Sequence, residues 1–477
     1  MTDRFNLDGF YLPPPIKIST FTKLRFGAIQ IRLPVLTATT LSDVINQILT
    51  AQEQHLSRQS TEAILKIIDA AVARWLKPED PMRRTAEAAL PGITGLSPAM
   101  VRLGVTRLME GFRRNALTRI LDQELGDLRM LDGFQDQDEG SRRLIQAMGP
   151  RMTTTILAGN IPGLGASELI ASLLVKSSCL VKVSSDEPLL TALFARTLVE
   201  IEPRLAHCLA VVWWPGGKPE SKSIEEIAFG RSELVIAAGS DEAVTAVHLA
   251  VGRSRPALPR LIGYGHRVSL GLIGREALDD LKTVARNAAL DVAMYDQQGC
   301  LSPHLFYVET GGSRFPRQFA KSLGQELARL EKELPRGPVD TATSARLHQI
   351  RSVAEIKQAD GEEEVIVFGS EIGTLWTVIY EADPTFILSP LYRTVRVKPI
   401  DDLMHVIPRL EAWRPYLQAA GIAAPESRLR PLAEALGRAG VNRICPVGRM
   451  QQPPAGWPQD GRRFIADRVR WVDLEIP

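Results

Sequence analysis

The chain has 477 residues, 45% of them hydrophobic and 23% charged, with a formal net charge of +2. This is an ordinary globular composition with ample core and length for about three domains. The near-neutral balance argues against a dedicated nucleic-acid binder, which would carry a strongly basic domain. Cys179, Cys208, Cys300 and Cys445 are scattered without a Cys-x-x-Cys pair, so neither a zinc site nor a disulfide framework is signalled. The start, "MTDRFNLDGF", lacks the apolar stretch of a signal peptide, and no apolar run reaches the ~18 residues of a membrane span. A soluble, cytoplasmic protein with reduced thiols and no metal is expected.

Residues 1–40 read as short strands, with "KLRFGAIQIRLPVL" alternating as a hairpin does. From Leu41 to Leu128 the apolar spacing turns helical, as in "LSDVINQILTAQEQHL" and "STEAILKIIDAAVARWL". Ser60 opens the second of these as an N-cap. "GLSPAMVRLGVTRLMEGFRRNALTRILDQEL" continues the helical run, broken at Gly95 and Pro98.

Near residue 150 the pattern changes to alternating strands and helices. "TTTILAGN" is a strand ending in a glycine turn, followed by helix "GASELIASLLVKS", strand "CLVKVSS" and helix "EPLLTALFARTLVEI". Strand "LAVVWWP", helix "SIEEIAFGR", strand "ELVIAAG" and helix "SDEAVTAVHLAVG" continue it, and "RLIGYGHRVSLGLI" closes it as one or two strands. Continuous aliphatic strands alternating with helices predict a parallel sheet covered on both faces. Such a sheet binds ligands at the C-terminal ends of its strands. Further α/β material follows. "EALDDLKTVARNAALDVAMY" is a helix leading straight into "QQGCLSP", and "LFYVET", "EEVIVFG", "WTVIYEA" and "RTVRVKPI" are strands.

Four separated words resemble the aldehyde dehydrogenase superfamily: "AGNIPG" its Asn-bearing turn, "LVKVSSDEPL" its adenosine-binding strand, "AAGSDEAV" its Gly-Ser helix start, and "QQGCLSP" its nucleophile loop. Within it the chain resembles the long-chain acyl-CoA reductases of bacterial luminescence, the LuxC family. The words that carry this are "ELG", "GNIPGLGASELIASLLVKSSCLVKVSSDEPL", "YDQQGCLSPH", "LSPLYRTVRVKPI" and "GVNRICPVGRM…DGRRFIADRVRWVDLE". They extend from residue 85 or so to the C-terminus. The resemblance implies an aldehyde dehydrogenase-like α/β fold. A strand and helical region (1–150) would pack on a Rossmann-type dinucleotide-binding domain (151–270). A catalytic domain with a nucleophilic Cys loop (271–425) and a C-terminal return segment with an oligomerisation strand (426–477) would complete it.

It also implies NADPH-dependent reduction of a long-chain acyl-CoA or acyl thioester to the aldehyde, through an acyl-enzyme on Cys300. A free thiol needs help to ionise near neutral pH, and the oxyanion formed on attack needs preorganised donors. In the superfamily these are an Asn and the nucleophile's own N–H, here Asn160 and Cys300. Lys182 takes the position of the adenosine-ribose Lys. The position three residues on, where NAD-preferring members carry Glu, is the neutral Ser185; with Ser184 beside it this favours NADPH over NADH. Gly239 and Ser240 start a helix that can hold phosphate, and Ser240 is equally a plain N-cap. The general-base Glu of hydrolytic members has no counterpart, since "LIGYGHRVS" holds no carboxylate. His266 in that word reads as a base for Cys300 or as a structural strand-end residue. His304, four residues after Cys300, reads as a partly buried packing residue or as a neighbour of the sulfur, and Glu371 matches the superfamily's later Glu too poorly to take its role. An acyl-protein synthetase partner and a homo-oligomer are implied by resemblance. The alternative is an acyltransferase or thioesterase using Cys300 without redox chemistry, which would not need Lys182 or the Gly239–Ser240 turn.

Overall fold

The computed structural model describes residues 5–136, 143–254, 258–361 and 364–476. Strands β1 (Phe5–Asp8), β2 (Phe21–Phe26) and β3 (Ile29–Pro34) form a small sheet in the order β1-β3-β2. β2 and β3 are the hairpin that the alternation predicts, turning at Gly27 with φ +59°. Helices α1 (Ala38–Gln54), α2 (Thr61–Trp75), α3 (Pro81–Thr94), α4 (Pro98–Glu110) and α5 (Arg114–Leu125) follow. The oxygens of Thr37, Ser60, Asp80 and Ser97 accept backbone N–H groups at the starts of α1 to α4. Each such cap is worth about 1 kcal/mol.

After β4 (Gln135–Asp136) and β5 (Arg143–Met148) come β6 (Met152–Ile156), α6 (Leu164–Leu174), β7 (Ser178–Lys182) and α7 (Leu190–Ile201). Next are β8 (Leu209–Val212), α8 (Lys222–Gly230), β9 (Leu234–Ala238), α9 (Asp241–Arg253) and β10 (Arg260–Tyr264). The five strands make a parallel sheet in the order β10-β9-β6-β7-β8. The N-terminal helices share one core with α6 and α7. Ile68, Val72 and Trp75 pack with Leu193 and Phe194, and Trp75 Nε1 donates to Thr197 Oγ1 at 2.9 Å. The chain runs outward from β6 through β7 and β8, then returns to β9 on β6's other side. β6 and β9 therefore flank the switch point where the sheet opens a crevice at its C-terminal ends.

Gly265–Arg267 carries the chain to β11 (Val268–Ile273), which lies in a different sheet from β10. The word "RLIGYGHRVSLGLI" is thus two strands joined by a crossing. Then come α10 (Leu281–Ala293), β12 (Pro303–Glu309), α11 (Pro316–Glu333), α12 (Thr341–Asp360), β13 (Val365–Gly369), β14 (Thr377–Glu381) and β15 (Thr394–Ile400). β16 (Leu417–Ala423), α13 (Glu426–Ala439) and β17 (Arg443–Pro446) complete a seven-stranded sheet. Its order is β13-β14-β15-β12-β11-β16-β17, with only β13 antiparallel to its neighbour. α10 and α11 cover one face, where the Phe306 and Phe319 rings meet edge-on at 5.8 Å. The last strand, β18 (Arg470–Glu475), pairs antiparallel with β5 and is an edge of the sheet β18-β5-β4. Among the described residues no helix is long and apolar enough to cross a membrane.

One expectation fails locally. α10 does not lead straight into the cysteine loop. Tyr295, Asp296 and Gln297 take left-handed backbone angles (φ 51°, 50° and 64°) and turn the chain before it reaches Cys300.

Candidate active site

The crevice of the five-stranded sheet and the end of the seven-stranded sheet share one cleft of about 1160 Å³. Asn160 and Gly159 reach it from the turn after β6, Lys182 and Ser184 from the end of β7, and Gly239 and Ser240 from the end of β9. His266 comes from the crossing between the sheets, and Cys300 and His304 from the nucleophile loop and β12. Of the eight residues singled out from sequence for catalysis or cofactor binding, seven line it. The eighth, Ser185, is turned aside, its hydroxyl accepting from Trp213 Nε1 at 3.0 Å. Glu371 is exposed in the turn between β13 and β14, away from the cleft.

The Cys300 loop is pinned from both sides. Ser269 Oγ donates to the Cys300 carbonyl at 2.7 Å and accepts from Ala419 N at 3.1 Å. Gln451 Nε2 donates to Ser302 Oγ at 2.8 Å, and Ser302 N to Gly299 O at 2.9 Å. Asn160 Nδ2 donates to Gln298 O at 3.2 Å, which places its amide beside the loop. An amide carries two N–H bonds, so one stays available for an oxyanion. Cys300 is half-buried, and with Cys445 and Trp457 it packs on Leu301, Ala419 and Met450. Burial, and then the charge of Asp460, push its thiol up to about 11; its own backbone N–H, Arg267 and Arg443 act in the opposite sense. Arg443 is buried, donating to the carbonyls of Met450, Arg449 and Gln452.

The two histidines differ. His266 is exposed to the cleft, and its backbone N–H donates to Asp241 Oδ1 at 2.8 Å. His304 is buried, and its Nδ1 accepts from Ser389 N at 3.1 Å, which leaves its proton on Nε2. Burial pushes its imidazole down to about 4, so it is neutral at pH 7. Among the described residues neither ring hydrogen-bonds the sulfur.

At the far end of the cleft, burial lowers the Lys182 ammonium, while Glu225 and Asp186 hold it up. Both carboxylates line the cleft; Glu225 is fixed by Trp214 Nε1 at 3.3 Å and Gly217 N at 3.1 Å. Room for an extended ligand is kept by glycine. A Cβ on Gly159 would meet the Ser184 and Asp186 side chains at 2.6 Å, and one on Gly265 would meet Asp241 Oδ1 at 2.4 Å. The Ser240 side chain caps α9 through Ala243 N at 3.3 Å. With a cation, a helix start and a close-approach turn at a switch point, these residues fit a nicotinamide dinucleotide.

Sequence reasoning missed Asp186, Glu225, Arg267 and Asp460. Asp186 adjoined a residue that was read, but the next three matched no expected role. Asp460 comes from the C-terminal return, and its only signal was the word "DGRR" within the resemblance.

A family model described as Acyl-CoA reductase (LuxC) matches residues 56–471. The chain belongs to this family. Curated LuxC-family relatives include a "Long-chain acyl-protein thioester reductase" of Aliivibrio fischeri, 26% identical over 457 residues, covering 94% of this chain and 88% of the relative. A protein of the same name from Vibrio harveyi is 25% identical over 426 residues, covering 89% and 84%. Among solved structures, the aldehyde dehydrogenase KauB from Pseudomonas aeruginosa superposes with a TM-score of 0.74 at 14% identity, covering 98% of this chain and 96% of that one. An NAD-dependent benzaldehyde dehydrogenase from Corynebacterium glutamicum gives 0.71 at 13%, covering 98% of both. The fold of this LuxC-family chain is that of the aldehyde dehydrogenases.

Proposed function

We propose that this chain reduces a long-chain acyl thioester, on CoA or on a partner protein, to the aldehyde, with Cys300 carrying the acyl group and NADPH as reductant. The observation that carries the reading is the single cleft that holds both a half-buried cysteine and a dinucleotide-type switch point. Cys300 attacks the thioester carbon, and the carrier thiol leaves. Asn160 Nδ2 and the Cys300 N–H take the oxyanion, which preorganised donors stabilise most where charge develops. Leu301, Met450 and Trp457 pack against the Cys300 loop and support it. The hydride that turns the acyl-enzyme into a thiohemiacetal is the chemistry NADPH supplies when bound. Lys182 and Ser184 would hold its adenosine end and the α9 start its phosphates, while Asp186 in the same wall narrows the margin over NADH. Collapse of the thiohemiacetal restores the Cys300 sulfur. The crossing between β10 and β11 itself carries no carboxylate.

The relatives' printed name supports a partner that delivers the acyl group as a protein thioester, in keeping with an acyl-protein synthetase. The edge strand β18, with Trp471 and Leu474 exposed, supports self-association. The test is NADPH oxidation with tetradecanoyl-CoA, with tetradecanal and free CoA assayed as products. Oxidation with both products in equal amounts supports the reading. CoA release without oxidation of NADPH or NADH would replace it with acyl transfer or thioester hydrolysis.

A further inference from the structure

Asp460 is a carboxylate from the C-terminal return, yet it lies in the cleft with Cys300. Its side chain is 4% exposed and forms an ion pair with Arg267, Nη2 to Oδ2, at 2.6 Å. The pair is poorly aligned. Neither carboxylate oxygen of Asp460, nor Arg267 Nε, has a hydrogen-bond partner among the described residues. A buried carboxylate normally fills its acceptor sites, and one that does not calls for an explanation.

Both partners are held in place by backbone. Arg267 Nη1 donates to the carbonyls of His266 and Pro415 at 3.1 and 3.2 Å. Asp460 occupies a left-handed turn (φ +54°) tied by Gly461 N to Pro458 O at 3.1 Å and by Arg462 N to Gln459 O at 2.9 Å. Aspartate tolerates that backbone region better than most residues. The crossing from β10 to β11 therefore brings a cation, and the C-terminal return brings the carboxylate that the crossing itself lacks.

We propose that Asp460 is the proton acceptor for acylation of Cys300, reaching the thiol through one water, with Arg267 holding the carboxylate in place. This rests on the acyl-enzyme reading above. The Cys300 S–H proton passes to Asp460. The sulfur forms its bond to the thioester carbon, and the tetrahedral oxyanion expels the carrier thiolate. That thiolate takes the proton back from Asp460 and leaves as a thiol, so the step is neutral overall and Asp460 is ionised again. Proton transfer by a placed side chain, directly or through one water, contributes on the order of a hundredfold or more. His266 and His304 face the same cleft, but the His304 imidazole is neutral with Nδ1 occupied, and the carboxylates near His266 are Asp241 and Glu242 at the start of α9.

A carboxylate near a thiol can act in two opposite ways, and the sign of one substitution separates them. As a proton acceptor it speeds acylation. As a mere negative neighbour it disfavours the thiolate, and its removal would make Cys300 more reactive. The experiment measures, for wild type and Asp460→Asn, the burst of CoA from tetradecanoyl-CoA without dinucleotide, and the rate of Cys300 alkylation by iodoacetamide. We expect the Asn variant to lose the burst rate by about tenfold or more without faster alkylation. Faster alkylation with an equal or faster burst overturns the proposal. If Asp460→Asn does not fold, Asp460→Glu carries the test, because it keeps the charge and displaces the oxygens by one methylene. A slowed burst without faster alkylation then supports the proposal, and an unchanged or faster burst overturns it. A wild type that releases no CoA overturns the acyl-enzyme reading and the role of Asp460 together. A wild-type burst that the Asn variant retains overturns the role alone.

Discussion

Asp296 and Arg393 form a buried ion pair that joins two strained turns next to the cleft. Arg393 Nε donates to Asp296 Oδ1 at 2.9 Å, with side-chain exposures of 0% and 2%. Each residue lies in a run of three left-handed non-glycine residues: Tyr295, Asp296 and Gln297 in one, Leu391, Tyr392 and Arg393 in the other. Such angles cost roughly 1–2 kcal/mol per residue, so the tertiary contacts must hold them. Gly337 N donates to Asp296 Oδ2 at 3.0 Å, and Glu331 takes Arg393 Nη1 at 2.8 Å. The first run delivers Cys300 to the cleft. The second delivers Leu391 to its wall and follows Ser389, whose N–H holds His304.

Asp296→Ala is expected to destabilise the chain by about 3–5 kcal/mol, because it leaves Arg393 buried with one partner fewer. Urea unfolding followed by circular dichroism measures this. A loss below about 1 kcal/mol would mean that the pair does not hold the two turns.

Gly165 opens α6 at the β6 turn, and a Cβ there would lie 1.9 Å from Thr191 Oγ1 and 2.7 Å from Leu157 Cδ1. Gly165→Ala forces α6 away from α7, an overpacking that costs about 1–3 kcal/mol. It also displaces the turn that carries Asn160. The expected result is a lower unfolding midpoint together with weaker NADPH binding, read by quenching of Trp214 in the cleft wall.

The alternating strands and helices of residues 151–270 were legible because each strand is a continuous aliphatic run and each helix an amphipathic one. The N-terminal hairpin and the capped helices were equally plain. The left-handed exit from α10 was not, because Tyr295 and Gln297 have no local preference for it, Asp296 alone tolerates it, and the ion pair that enforces it spans 97 residues. The spacing of Ser185 from Lys182 says nothing of the Trp213 indole that turns it away, which follows the end of β8. Asp460 was invisible for a similar reason. A carboxylate was sought in the crossing segment, and it arrives instead from the C-terminal return.

Asp186 and Glu225 set the balance around Lys182. Removing one carboxylate, in Asp186→Ala, lessens repulsion of a 2′-phosphate. Unit charges about 4 Å apart interact by ~1–4 kcal/mol between water and protein-surface dielectric, and ~1.4 kcal/mol is a tenfold ratio. The preference for NADPH over NADH, as the ratio of kcat/KM values, is expected to rise roughly tenfold. An unchanged ratio would remove Asp186 from the adenosine end of the site.

His304 gives a pH signature. Its folded imidazole lies at about 4, below the ordinary 6.5, so the unfolded chain binds the additional proton between those values. Its contribution is intact above about 6.5 and is lost as pH falls toward 4. His304→Asn, which keeps an acceptor for Ser389 N, is expected to flatten the stability-against-pH slope in that window. A variant with the same slope as wild type would place the dependence on other groups.

The acyl group on Cys300 is observed most directly by the intact mass of the protein after tetradecanoyl-CoA is added without dinucleotide. One tetradecanoyl group should appear on the wild-type chain, map to the peptide containing Cys300, be absent from Cys300→Ala, and be discharged as tetradecanal when NADPH is added. A wild-type chain that stays unmodified while still forming aldehyde, or an adduct that persists in Cys300→Ala, would contradict a covalent Cys300 intermediate.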